Sequence, residues 1–307
     1  MKRIAVSALT LPFFAFACAG TAPLPPKALA LNEAGVAALA AGDLETADAR
    51  FGLALEYNPN FVDALTNQGL LELQRGNFER ARQLLTRARR LNPDVAQPHH
   101  ALGVLAERER RPDQASRNYY EALRVDPGFA PSRANLAHLL YAGGLYEEAL
   151  LQFKRLVEVA PDVTAAHVGL AATLLHLQRV AEASVVIENA LAADPDDPQL
   201  AILVARLEIR RGELDAAVAR LSPLTDARSD LAVHALAWLA AAQVARGRLH
   251  EAVTAAERAI ALAPDDALAS YALGVSLKKL GDPSAQRWLE RASALSPGVQ
   301  VALDSVR

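Results

Sequence analysis

A helix that holds a hydrolytic zinc carries two histidines four residues apart, so both imidazoles share one face. The glutamate beside the first of them then polarises a water. His250-Glu251 opens that pattern, but Thr254 stands where the second imidazole belongs. His99 and His100 are adjacent, so a helix sends them in different directions. His138, His167, His176 and His234 have no cysteine or carboxylate partner at ligand spacing. The chain carries no phosphate-cradling glycine loop and no nucleophile motif. These residues predict no catalysis, no metal and no cofactor, and point to a protein that binds rather than converts.

Two kinds of side chain suit binding. The amides of Asn67 and Asn135 can donate to and accept from the main chain of a bound peptide, or read equally as ordinary asparagines of a helix surface. A run of arginines (Arg75, Arg80, Arg82, Arg87, Arg89, Arg90, Arg108, Arg110 and Arg111) outnumbers Glu79, Asp94, Glu107 and Glu109 around it. It reads either as a solvated face with local ion pairs, such as Glu107 with Arg111, or as a basic patch. On the second reading Arg82, Arg87, Arg89 and Arg90 meet anionic lipid headgroups or an acidic partner.

The elements that carry these groups repeat every thirty-four residues. Gly42-Asp43, Gly76-Asn77, Gly143-Gly144, Gly212-Glu213 and Gly247-Arg248 mark turns between paired helical patterns. Pro59, Pro93, Pro127, Pro161, Pro195, Pro264 and Pro297 mark the ends of the second helices. Small residues recur at one place in each first helix: Gly35, Gly69, Gly103, Ala137, Ala171, Ala205, Ala240 and Gly274. Others recur in each second helix: Ala47, Ala81, Ala115, Ala149, Ala183, Ala217, Ala252 and Ala285. They let the paired helices approach closely. The units run 28–61, 62–95, 96–129, 130–163, 164–197, 198–231, 233–266 and 267–299, with 300–307 able only to begin a capping helix. The sixth is degenerate, since Pro223 lies inside its second helix and Ser229 replaces the closing proline, so a bend or looser joint is expected near 221–232.

This pattern resembles the tetratricopeptide repeat. The resemblance implies an all-α, right-handed superhelical solenoid of about eight helix-turn-helix units. It also implies a concave surface lined by the first helices. Matching positions in the front half are Asn32, Asp63, Thr66, Asn67, Gln97, His100, Arg108, Asn135, His138, Tyr141 and His176. In the back half they include Ile202, Arg206, His234, Trp238, Tyr271 and Lys278, with Trp238 and Tyr271 expected between helices. Co-chaperone members clamp a terminal carboxylate with lysines and asparagines, whereas Val36 and Gln97 occupy parts of that clamp here.

A net charge of −3 gives no global basic field for nucleic acid. Lys2 and Arg3 precede an apolar run from Ile4 to Ala17, which reads as a secretory signal over 1–17. Cys18, the single cysteine, follows it and has no partner within the chain for a disulfide. Ala15-Phe16-Ala17-Cys18 resembles a bacterial lipoprotein box, which implies a lipidated Cys18 and a Pro-rich spacer over 18–27 ahead of the repeats at 28–307. Ala19 implies sorting to the outer membrane. The same residues also satisfy ordinary secretion or an uncleaved anchor. The layout is similar to that of bacterial tetratricopeptide lipoproteins, among them pilotin-like proteins of type IV pilus assembly. It implies a lipid-anchored scaffold on the periplasmic face of the outer membrane, with protein partners and no nucleic acid. That scaffold would assist assembly of an envelope machine such as a type IV pilus secretin or a motility apparatus. The alternatives are an adaptor for peptidoglycan-modifying enzymes or polysaccharide secretion, and a soluble secreted binding module.

Overall fold

The computed structural model describes residues 25–226, 230–296 and 299. Cys18, the expected signal over 1–17, most of the spacer at 18–27 and the expected cap at 300–307 lie outside the described residues. The described residues are all-α, with no strand among them, and divide into two compact bodies at Ala160/Pro161. The first body holds α1 (Pro26–Ala40), α2 (Leu44–Tyr57), α3 (Val62–Gln74), α4 (Phe78–Leu91), α5 (Ala96–Arg108), α6 (Pro112–Val125), α7 (Ala130–Ala142) and α8 (Tyr146–Val159). The second holds α9 (Thr164–His176), α10 (Val180–Ala193), α11 (Pro198–Arg211), α12 (Leu214–Leu221), α13 (Asp230–Ala245), α14 (Leu249–Leu262), α15 (Ala267–Leu280) and α16 (Ala285–Leu295). Within each body, odd and even helices pack as antiparallel pairs. Among the described residues no helix is long and apolar enough to cross a membrane.

Each pair is closed by the same backbone turn. Asp43 N donates to Ala38 O at 2.9 Å and Asn77 N to Glu72 O at 2.8 Å, and the equivalent bond recurs at 111, 145, 179, 213, 248 and 282. This six-to-one bond satisfies a carbonyl of the last helical turn and requires a left-handed residue just before the donor. Gly42, Gly76, Gly144, Gly212, Gly247 and Gly281 supply it with φ between 74° and 83°. At the third and fifth turns the same conformation is held by Arg110 and Gln178, both with φ 60°. The thirty-four-residue spacing runs through both positions, so the turn geometry persists where the glycine does not.

The turn brings a small first-helix residue against a large second-helix one. A Cβ on Gly35 would lie 2.5 Å from Phe51 Cε1, and one on Gly69 would lie 2.6 Å from Leu85 Cδ2. Gly103 faces Tyr119 in the same way. Phe51, Leu85 and Tyr119 are fully buried, so these contacts are the middle of each pair's core. Where alanine replaces glycine, at Ala137, Ala171 and Ala205, it too is fully buried.

The sixth pair departs from the others. Its second helix, α12, stops after eight residues at Leu221, and a 3-10 turn follows over Ser222–Thr225. Pro223 has no N–H to donate and its ring obstructs the preceding turn, which ends the α-helix there. Arg258 of α14 holds the turn by donating from Nη2 to Thr225 O at 3.0 Å.

Candidate functional site

The first helices of the front body carry polar groups that are largely bonded to one another. Asn67 on α3 donates from Nδ2 to Asn32 Oδ1 on α1 at 3.0 Å, with both side chains buried. Thr66, also buried, returns its hydroxyl proton to Val62 O at 2.8 Å. Asp63, one turn earlier, is half-buried, and burial raises its carboxyl above the ordinary range. On α5, His100 is buried with Nδ1 3.0 Å from Ser132 Oγ of α7, and its ring packs against Tyr119 and Phe129. Burial lowers its pKa to about 4, so the imidazole is neutral at pH 7. Asn135 donates from Nδ2 to Tyr119 Oη at 3.1 Å, and Tyr119 donates to Glu107 Oε1 at 2.5 Å. Both amides expected to meet a peptide thus hold neighbouring helices together as well. Gln97 and Arg108 are exposed on α5. His138 is also exposed, with its ring edge-on to Phe153, and Tyr141 packs edge-on to Tyr146.

The remaining histidines of this region serve the connections between pairs. His99 Nε2 lies 2.9 Å from Pro93 O, and Arg133 Nη2 donates to Pro127 O. In the second body His167 Nε2 lies 2.8 Å from Pro161 O. The positions 99, 133 and 167 are thirty-four apart, so one device ties the proline loop to the next first helix. Only after the proline carbonyls are aligned does the sequence show it.

The arginine run divides into engaged and open members. Arg75 pairs with Asp48 at 2.7 Å and donates to Leu44 O at 3.2 Å. Arg82 pairs with Glu109 across units, while Arg87 donates to Pro59 O at 2.8 Å. Arg90 reaches Thr86 O at 3.4 Å, and Arg89 lies beside it on the last turn of α4. The Glu107–Arg111 pair expected from helical spacing does not form. α5 ends at Arg108 and Arg110 turns left-handed, so the two no longer share a helix face; Arg111 pairs with Glu109 at 3.5 Å instead.

In the second body a cationic cluster forms on first helices. Arg206 of α11 is 8% exposed and lies over the Trp238 ring of α13 at 4.7 Å. Arg210, one turn on, donates from Nη1 to Gln178 Oε1. His176, in the last turn of α9, is held at a pKa of about 4 by burial and by the charges of Arg206 and Arg210. Trp238 therefore stacks on a cation as well as packing between helices. Ile202 is buried, Tyr271 is half-buried, and His234 and Lys278 are exposed. No group of three or more His, Cys, Asp or Glu among the described residues is placed to hold a metal ion.

Two family models described as tetratricopeptide repeat match the chain, one over 106–172, 144–207 and 174–242, the other over 32–96 and 239–299. A stretch of 156 residues is 31% identical to the type IV pilus assembly protein PilF of Pseudomonas aeruginosa. That match covers 49% of this chain and 61% of PilF, so the chain spans about three fifths of that relative's length. Among solved structures, the APC/C hetero-tetramer Cut9-Hcn1 superposes with a TM-score of 0.63 at 16% identity, over 90% of this chain and 56% of that one. PilW, described as a widely conserved type IV pilus biogenesis factor, gives 0.57 at 18% identity, over 67% of this chain and 96% of that one. At those identities the two structures speak for the fold alone.

Proposed function

We propose that this chain, which belongs to the tetratricopeptide repeat family, is a scaffold anchored through Cys18 to the periplasmic face of the outer membrane that assists assembly of an envelope machine of the type IV pilus class. Protein binding is the function its family supports. The finer reading is carried by one observation, the 31% identity over 156 residues to a type IV pilus assembly protein. The lipoprotein-like Ala15-Phe16-Ala17-Cys18 sequence supports the anchor, since two or more acyl chains hold a protein stably at a membrane. A surface tether would confine the repeats near the machine, and their rigid, repeated helices would receive an extended segment of a partner without reorganising.

Deleting the chain from its native host tests this reading. Loss of surface pili, restored by the intact chain and not by Cys18→Ser, is the expected result. Normal piliation in the deletion strain overturns the pilus assignment. An unaltered membrane fraction for the Cys18→Ser chain overturns the anchor.

A further inference from the structure

The even helices of the first body end at the proline loops, and two of those ends leave large apolar side chains in the open. Tyr57, the last residue of α2, is 47% exposed, and Leu91, the last residue of α4, is 41% exposed. Leu53 is exposed one turn before Tyr57, so the two share a face of α2. Cations flank them. Lys27 of α1 holds its Nζ 5.0 Å from the centre of the Tyr57 ring, and Arg89 and Arg90 directly precede Leu91. Arg87 donates to Pro59 O at 2.8 Å and to Asn60 Oδ1 at 3.3 Å, which brings the end of α4 against the loop after Tyr57. These side chains therefore belong to one edge of the first two units. The dipole of α4 favours cations in its last turn, which accounts for part of the charge. It does not account for Lys27, which sits in the first turn of α1, where a cation is disfavoured and no acidic residue stands beside it. Nor does folding gain from leaving Leu53, Tyr57 and Leu91 in water. Arg89 and Arg90 form no ion pair among the described residues. At the other ends of these helices Arg75 is matched by Asp48 and Glu72, and Arg82 by Glu79 and Glu109.

We infer that this edge of the first body lies against a bilayer surface that carries anionic phospholipid. The inference rests on the reading of Cys18 as a lipid anchor. Pro26 stands eight positions after Cys18, a stretch that spans at most about 28 Å even when fully extended. A lipid on Cys18 would thus keep the start of α1, and with it Lys27 and Tyr57, close to the membrane. A tyrosine ring suits the headgroup layer, with its body toward the acyl chains and its hydroxyl toward water. Leu53 and Leu91 add apolar area to bury beside it. A guanidinium meets two phosphate oxygens at once, and an ammonium meets the same surface as a point charge. An acidic protein would also satisfy the cations, but the short tether and the tyrosine and leucines among them favour the lipid. Docking along this edge would fix how the first body faces the membrane, which a flexible tether alone would leave free.

The full chain on vesicles of phosphatidylcholine, with and without phosphatidylglycerol, tests this. Acylation would occupy Cys18, so a cysteine placed elsewhere is the sole free thiol for an environment-sensitive fluorophore such as NBD. Glu56→Cys puts the label beside Tyr57, and Glu79→Cys puts it at the opposite end of α4, both at exposed positions. Emission at position 56 is expected to rise about twofold or more when phosphatidylglycerol is present, and emission at 79 to stay level. Arg89→Gln/Arg90→Gln, and separately Lys27→Gln, should return it toward the phosphatidylcholine value, since each cation contributes a factor of about five near an anionic surface. Arg80→Gln, at an exposed position far from this edge on α4, should leave it unchanged. A rise that is equal at both positions, indifferent to phosphatidylglycerol or retained in Arg89→Gln/Arg90→Gln overturns the membrane edge. No rise on vesicles, with a polyglutamate peptide bound through Arg89 and Arg90, overturns it in favour of an acidic protein. Flotation judges the anchor separately. A chain that floats with the vesicles but shows no rise keeps the anchor and loses the edge, and a chain that does not float loses both.

Discussion

Asn67 donates from Nδ2 to Asn32 Oδ1 across 3.0 Å, and this single amide pair links the first helices of the first two units. Both side chains are largely buried, so removing one leaves the other without its partner in a place with little access to water. Asn67→Leu is expected to cost about 1–3 kcal/mol in urea unfolding. The Asn32→Leu/Asn67→Leu double variant should cost less than the sum, with a coupling of about 0.5–3 kcal/mol. Strict additivity would mean the pair contributes nothing.

Gly103→Ala is expected to be harsher than its size suggests. The Tyr119 ring lies where the new methyl would go, and its hydroxyl is bonded to Glu107 and Asn135, so the ring cannot swing away without breaking both bonds. A loss of about 1–3 kcal/mol follows from overpacking of this kind. Gly69→Ala meets Cδ2 and Cγ of Leu85, a side chain with no hydrogen bond to hold it, and should cost less when the two thermal transitions are compared.

Arg110→Gly should stabilise the chain. A left-handed backbone costs an L-residue roughly 1–2 kcal/mol, against which glycine loses unfolded-state entropy, leaving a gain of about 0.5–1 kcal/mol. The urea midpoint is expected to rise without a change in slope. Gln178→Gly is the poorer choice, since it also removes the acceptor for Arg210.

Acid should loosen the first body through His100. Its folded pKa, about 4, lies below its ordinary 6.5, so the unfolded chain takes up the proton first. Stability from the neutral imidazole is complete above about pH 6.5 and is lost as pH falls toward 4, a change on the order of 3 kcal/mol. Burial pushes Glu107 and Asp63 upward, which tilts the same range the other way. The comparison is therefore made between the wild type and His100→Gln, whose stability should vary less with pH between 6.5 and 4. Parallel pH profiles would remove His100 from the acid response.

The helix pairs and their boundaries were legible because glycine and proline act locally and recur at a fixed interval. The small-residue positions were legible for the same reason, and Gly69 and Ala81 do lie where their helices meet. What escaped lay outside the residue types themselves. Nothing in the residue type announces that Arg110 and Gln178 adopt the glycine conformation, because the turn's own hydrogen bond imposes it. Helical spacing suggested Glu107 with Arg111, and the end of α5 between them broke the face they would have shared. The stacking of Arg206 on Trp238 joins residues thirty-two apart on different helices, a relationship no local pattern encodes. An amide that suits a peptide main chain suits a neighbouring helix equally, and residue type does not announce the bonds from Asn67 to Asn32 and from Asn135 to Tyr119.

The six-to-one bond that ends each first helix draws both its atoms from one short stretch of backbone. It needs no partner from elsewhere in the chain. A thirty-four-residue block can therefore be copied or cut out with every surviving turn still complete, provided the new junction joins equivalent positions. The number of units is open to change in a way that the length of a closed barrel is not. Duplicating residues 62–95, for instance, is expected to yield a folded, longer chain, and the reach of this protein is in that sense an adjustable quantity.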